Sequence, residues 1–304
     1  MDPTRPDWMS RIGNAARSLF WAFLLLSLIF VLLQFFGSRG IQKAREDLLK
    51  SFEQDRKSRV IAMIHRQENV SFLGVPVSSH ISIEDSEAVL RAIRFTPPDQ
   101  PIDLILHTPG GIVLAAEQIT KALAEHKGKV TVFVPHYAMS GGTLIALAAD
   151  EIIMDANAVL GPVDPQIGDM PAASIVRLLD FKKPAQISDE MLILADMAHK
   201  ARLQVASFVA QVLMKHLPEK KAIGLATILS EGRWTHDFPL TVQMVQQFGL
   251  KVSTNMPRKV YDLMDLYPQG GGGRPSVIYI PLRRGADKQS YTPDTSSPVP
   301  GQEK

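Results

Sequence analysis

Two short apolar segments, each followed by paired glycines and a helical pattern, constrain the fold of this chain most. Residues 102–107 form an apolar strand pattern that runs directly into Thr108-Pro109-Gly110-Gly111. Residues 130–134 form a second such pattern, which leads into Ala138-Met139-Ser140-Gly141-Gly142-Thr143. Successive strand–turn–helix units are typical of one parallel sheet with both turns at the carboxyl edge of its strands. The sequence therefore predicts an α/β domain with two glycine turns at one edge.

The second turn carries a candidate nucleophile. Ser140 stands at a strand-to-helix junction, where helix amides and the helix dipole favour negative charge. An exposed serine nucleophile needs this position, although an ordinary N-cap serine would occupy it too. In the first turn, two glycines leave backbone amides bare, as an oxyanion hole requires. We predict that Gly111 and Gly141 donate the oxyanion hydrogen bonds.

Composition excludes several other kinds of site. The chain has 304 residues, a formal net charge of +2 and no cysteine. The near-balanced charge does not indicate a nucleic-acid partner. Because the chain has no thiol, disulfides and a cysteine nucleophile are excluded. The eight histidines show no paired metal-ligand spacing. We therefore predict neither a metal nor a cofactor.

A long uncharged run lies near the N-terminus. Residues 1–18 are polar, whereas residues 19–36 contain no charged side chain. As a helix this run is about 27 Å long, enough to cross a bilayer. A retained single-pass anchor is therefore predicted. The alternatives are a buried core helix and a cleaved signal peptide, although no small-residue cleavage site follows the run. Three arginines precede the run and four basic residues follow it closely, which leaves the side of the membrane undetermined.

The remaining chain is predicted to contain a linker, one globular domain and a tail. Residues 37–58 are highly charged and are predicted to form an exposed helical linker, and residues 59–283 the α/β domain. Within it, Ser82 followed by Asp85 predicts a helix start. Residues 188–217 predict a long helix with an apolar stripe for the core, and residues 277–281 a last strand. The polar residues 284–304 are predicted to be disordered.

These motifs also carry a family resemblance. The two glycine turns, with Glu151-Ile152-Ile153-Met154-Asp155 and Gly161-Pro162, resemble the Clp-protease/crotonase fold, with its parallel sheet and flanking helices. Within it they are most similar to membrane-associated proteases of the signal-peptide-peptidase-A type. Residues 161–166 and 231–237 resemble the serine-dehydrogenase proteinase branch of that group. Over residues 59–267, the resemblance implies a serine endopeptidase that acts on proteins or peptides through an acyl-enzyme and forms a homo-oligomer.

The resemblance also bears on the catalytic base. Clp proteases carry their histidine where this chain reads Leu160-Gly161-Pro162-Val163-Asp164. Signal-peptide-peptidase-A-like proteins use a Ser-Lys dyad instead, and residues 200–213 are similar to the lysine-bearing helix of stomatin-cleaving relatives. We therefore predict a Ser140–Lys200 dyad, with Lys200 partly desolvated against the sheet so that its pKa falls. Lys183 is the second choice, and a surface ion pair with Asp196 is the alternative interpretation of Lys200.

A second polar cluster is interpreted as structural. Trp234 is predicted to pack, and His236 with Asp237 to cap the next helix, although His236 also invites a catalytic interpretation. Asp164 and Gln166 are candidates to line a substrate groove.

Two other functions fit the same pattern. A crotonase-type acyl-CoA enzyme would use the oxyanion hole but would not need Ser140. A non-catalytic membrane scaffold would retain the fold as a binding platform. Should neither lysine serve as base, His136, His199 and His236 are the next candidates.

Overall fold

The structure, a computed structural model, describes residues 7–65, 70–72, 75–77 and 80–267. The predicted strand at 277–281 and the predicted tail at 284–304 lie outside the described residues. The helices are α1 Asp7–Arg56, α2 Ile83–Arg94, α3 Val113–Ala124, α4 Gly141–Leu147, α5 Ala172–Phe181, α6 Asp189–Leu213, α7 Glu219–Ser230, α8 Val242–Gln247 and α9 Arg258–Asp265, with a short 3-10 helix at Pro184–Gln186. The strands are β1 Arg59–Ile64, β2 Val70–Phe72, β3 Val75–Val77, β4 Ile102–His107, β5 Val130–Val134, β6 Tyr137–Ala138, β7 Glu151–Met154, β8 Val159–Leu160, β9 Gln166–Ile167, β10 Met170–Pro171, β11 Leu240–Thr241 and β12 Val252–Ser253.

A five-stranded parallel sheet forms the centre of the domain. Its strand order is β1-β4-β5-β7-β12, and every neighbouring pair runs parallel. All residues of β4 and β5 are buried, because helices cover both faces. Alternate side chains such as Leu104 and Val132 join the main core, while Ile105 and Phe133 face a second cluster on the other side. The predicted α/β architecture with a parallel sheet and flanking helices is confirmed.

Local signals located most of the long elements. The predicted strands at 102–107 and 130–134 coincide with β4 and β5. The helix predicted from Ser82 and Asp85 is α2, and these two residues form a reciprocal capping box. The long predicted helix is α6, which starts after an N-cap at Ser188 and ends at Leu213 rather than near 217.

The N-terminal helix is longer than predicted and continuous. α1 runs for 50 residues through both the uncharged segment and the charged linker. Its last turns pack on the domain through Phe52, while Arg56 bonds the buried carboxylate of Asp103. Lys259 of α9 also donates to Ser51. Among the helices that the structure describes, none meets the length and hydropathy required to cross a bilayer, and the side chains of residues 30–38 lie outside the description.

A small second sheet connects distant segments beside the central one. β8 pairs in parallel with β6 and antiparallel with β11. These two-residue strands have no periodic signal in the sequence, which is why they were not predicted. Their pairing brings residue 240 next to residue 160, and Ala138 of β6 forms a bridge with Thr108, the residue that follows β4.

Candidate active site

Ser140 occupies a strained turn between β6 and α4. Its φ of 51° and ψ of −117° lie in a region that non-glycine residues avoid. The residue holds the N-cap position of α4, yet its hydroxyl makes no capping hydrogen bond. An N-cap role therefore does not account for the serine, and its hydroxyl is left for other chemistry. Strained serines that precede a helix in this way are typical of nucleophile elbows.

The first glycine turn is held against Ile81 by backbone hydrogen bonds. The Ile81 amide donates to the Gly110 carbonyl at 2.8 Å, and the Ile112 amide donates to the Ile81 carbonyl at 2.9 Å. A Cβ on Gly111 would overlap the Ile81 backbone, so only glycine fits there. In the described part of the chain, the amides of Gly111 and Gly141 donate no backbone hydrogen bond.

A buried histidine supports this turn from behind. The Gly110 amide donates to Oγ1 of Thr108 at 3.2 Å, and that hydroxyl lies 2.9 Å from Nδ1 of His65. Nε2 of His65 lies 3.2 Å from the Asp85 carboxylate, the same group that caps α2. Burial lowers the pKa of His65, and Asp85 offsets part of that effect. The turn is thus connected to the start of α2 through side chains.

Both turns open into one pocket of about 180 Å³. Its glycine-turn wall includes Ser140 together with the two glycines predicted as oxyanion donors, Gly111 and Gly141. A second wall carries polar residues from two other segments, and apolar side chains from the helices also line the pocket. The lining residues beyond the turns are Val113, Ala116, Leu144, Val163, Asp164, Pro165, Gln166, Val205 and His236.

The second wall contains a histidine–carboxylate pair. Nδ1 of His236 lies 2.8 Å from Oδ1 of Asp164, and Nε2 of Gln166 donates to Oδ2 of Asp164 at 2.7 Å. Only 2% of the Asp164 side chain is exposed, so these partners compensate the buried carboxylate. Because Nδ1 is directed to Asp164, Nε2 of the ring is available to exchange a proton with a group in the pocket. Asp164 and Gln166, the candidates for a substrate groove, both line this pocket.

Specific contacts hold this pair in place. The Thr143 hydroxyl donates to the Ala138 carbonyl and accepts from the Gly161 amide, which connects the serine turn to the segment before Asp164. Trp234 stacks on Phe238 with ring centroids 5.2 Å apart, as the packing prediction requires. The predicted capping role of His236 is wrong, because Thr241 caps α8 with its own side chain.

The two candidate lysines lie elsewhere. Lys200 pairs with Asp196 at 2.5 Å on the outer face of α6, and 66% of its side chain is exposed. The expected desolvation of Lys200 is therefore wrong, because the ammonium faces solvent and not the sheet. Lys183 is also exposed. Neither lysine lines the pocket that contains Ser140.

Comparison with known proteins identifies the family. The sequence profile of the ClpP-like SDH-type serine proteinases matches residues 7–292. The chain belongs to this family. It is 55% identical over 260 residues to the uncharacterized protein MJ1495 of Methanocaldococcus jannaschii, covering 86% of this chain and 88% of the relative. It is 52% identical over 274 residues to MJ0137 of the same organism, covering 90% and 95%.

Solved structures give more distant similarities. ClpP1 from Listeria monocytogenes shares 15% identity with a TM-score of 0.42, covering 67% of this chain and 96% of the other. The membrane-bound stomatin-specific protease 1510-N shares 19% identity with a TM-score of 0.41, covering 60% and 79%.

Sequence reasoning did not bring His236 and Asp164 together as a pair. They lie 72 residues apart, and no local pattern connects them. The available signal was the carboxylate of Asp164 in the short segment that follows β8.

Proposed function

We propose that this family member is a serine endopeptidase in which Ser140 attacks a peptide carbonyl. The observation that carries the proposal is a single pocket that contains an uncapped, strained serine, two bare glycine amides and a histidine–carboxylate pair. Acyl transfer needs a nucleophile, donors for the oxyanion and a base, and these three features would supply them in that order.

The reaction begins when the base accepts the proton of Ser140 as Oγ bonds to the carbonyl carbon. The amides of Gly111 and Gly141 stabilise the negative oxygen of the tetrahedral intermediate. The base, now protonated, gives its proton to the leaving amine as the peptide bond breaks, and an acyl-enzyme remains. A water molecule, deprotonated by the same base, then releases the second product and regenerates Ser140.

For the base, we propose His236 with Asp164 as its orienting partner. Asp164 would hold the ring with Nδ1 protonated, so that Nε2 can accept the serine proton. The Ser140–Lys200 dyad predicted from the resemblance is the rival arrangement. It requires Lys200 to leave Asp196 and to lose the solvation that keeps an exposed ammonium protonated.

The nucleophile is tested by cleavage of a loosely folded protein. Ser140→Ala should abolish the appearance of new amino termini while circular dichroism stays unchanged, and Ser253→Ala on the edge strand β12 should retain activity. Comparable cleavage by Ser140→Ala would overturn the proposal. Rapid turnover of acyl-CoA esters by the same Ser140→Ala protein would favour the crotonase-type alternative. A purified protein with intact Ser140 that neither cleaves nor is labelled by a fluorophosphonate would favour the scaffold.

We further propose that residues 19–36 anchor the protein in a membrane as a single span. The support is the uncharged run itself, together with large apolar side chains that the domain leaves exposed, including Leu19, Phe23 and Leu26. Full-length protein should resist extraction by carbonate, whereas a chain that starts near Ile41 should remain in the supernatant. Release of the full-length protein by carbonate would contradict the anchor. A homo-oligomer is proposed from the family resemblance and is tested by light scattering.

A further inference from the structure

A groove of about 800 Å³ continues from the Ser140 pocket along the surface between α3 and α6. Val113, Pro165, Gln166 and Val205 line both the groove and the pocket. A chain bound at the serine can therefore extend into the groove without leaving the surface.

The groove has a mixed character that suits a polypeptide. Its apolar lining includes the exposed side chains of Leu114 and Leu203 and the half-buried ring of Phe208. Gln204, Ser207 and Gln211 of α6 line it as well and offer amide and hydroxyl groups to a peptide backbone. An extended peptide uses both kinds of contact, since its backbone needs hydrogen bonds while its side chains alternate in direction.

Glu117 is the one charged residue among those that line this groove. Within the part of the chain that the structure describes, its carboxylate forms no hydrogen bond or ion pair. Partial desolvation raises its pKa, which means that the charged form lacks a compensating partner. A cationic group in the groove would supply that partner.

We infer that this groove binds the substrate on one side of the scissile bond and that Glu117 selects a lysine or arginine there. The inference rests on the proposed function, because it takes the Ser140 pocket as the cleavage site. Glu117 lies one helical turn from Val113, about 6 Å along the helix axis. An extended chain advances about 3.3 Å per residue, so this distance corresponds to about two residues, and the selected residue should lie about two or three positions from the cleaved bond.

The test compares matched fluorogenic peptides that differ only by lysine, norleucine or glutamate at each of these positions. For the native full-length protein, kcat/KM should favour lysine over norleucine by about three- to tenfold at one position. Glu117→Gln should bring this ratio close to one, and Glu117→Lys should favour the glutamate peptide. Glu125→Gln is the matched control, because Glu125 follows the same helix but pairs with Lys121 on an exposed surface.

The same peptides are also measured by fluorescence anisotropy on Ser140→Ala protein, so that recognition is read without cleavage. A lysine preference that survives in Glu117→Gln, or no preference at any position in either assay, would overturn the inference. These outcomes differ from a failure of the proposed function, which would be continued cleavage by Ser140→Ala. Thermal unfolding of each variant shows whether a lost preference reflects lost folding.

Discussion

The two walls of the Ser140 pocket are built in different ways. The glycine-turn wall is fixed mainly by backbone hydrogen bonds, such as those between Ile81 and the turn at Gly110. The second wall depends on side chains, because Asp164 is bonded by His236, which lies 72 residues away in the sequence, and by the nearby Gln166. Backbone-built geometry tolerates most side-chain changes but not an added Cβ or a lost amide. Side-chain-built geometry can be broken by exchanging one functional group.

The largest effect should come from the side-chain-built wall. In Asp164→Asn, the amide would donate toward Nδ1 of His236 and force the ring proton onto Nε2, which then cannot accept the serine proton. We expect kcat to fall by about 10³–10⁴ with little change in KM. Asp169→Asn changes the same functional group at an exposed position and should remain active. Near-normal turnover by Asp164→Asn would show that this wall takes no part in the chemistry.

A smaller loss should follow a change in the backbone-built wall. Gly111→Ala adds a Cβ that would overlap Ile81, so the turn must shift and misdirect the Gly111 amide. Loss of one oxyanion donor costs about 10²–10³ in rate. Gly224→Ala is the control, because an added Cβ there meets nothing within 4 Å. Full activity in a folded Gly111→Ala protein would place the oxyanion donors elsewhere.

This contrast also explains how far the sequence could predict the molecule. The turns at 108–111 and 138–143 and the sheet that carries them follow from local periodicity and glycine placement, and these predictions are confirmed. The predicted desolvation of Lys200 is wrong, because Lys200 lies on the exposed side of α6, where it pairs with Asp196. The contact between His236 and Asp164 depends on the pairing of β8 with β11. Strands of two residues are too short to show a periodic pattern, so this pairing could not be predicted from the sequence.

The smallest effect concerns stability on the glycine-turn side. Burial lowers the pKa of His65, so the unfolded chain takes up a proton more readily than the folded one. The part of the free energy of unfolding that depends on a neutral His65 is fully present above the ordinary histidine pKa of 6.5. It is lost as the pH falls below that value. Thermal unfolding midpoints should therefore decrease between about pH 7.5 and about pH 5.5.

His65→Asn should weaken this pH dependence, to which the buried His216 also contributes, whereas His199→Asn, at an exposed site on α6, should leave it unchanged. In a domain of this size each 1 kcal/mol shifts the midpoint by about 2–4 °C, which calorimetry resolves. An identical pH dependence in His65→Asn and the native protein would contradict the assignment.

The most direct test of His236 as the base is the rate at which a small fluorophosphonate phosphonylates Ser140, with loss of fluoride, in two variants, read by intact-protein mass. In His236→Ala the rate should fall by about 10³ or more, since the serine has lost its base. In Lys200→Ala it should equal the native rate, because Lys200 pairs with Asp196 outside the pocket. The reverse result, with a slow Lys200→Ala protein and a fast His236→Ala protein, would contradict the assignment of His236 and support the Ser140–Lys200 dyad.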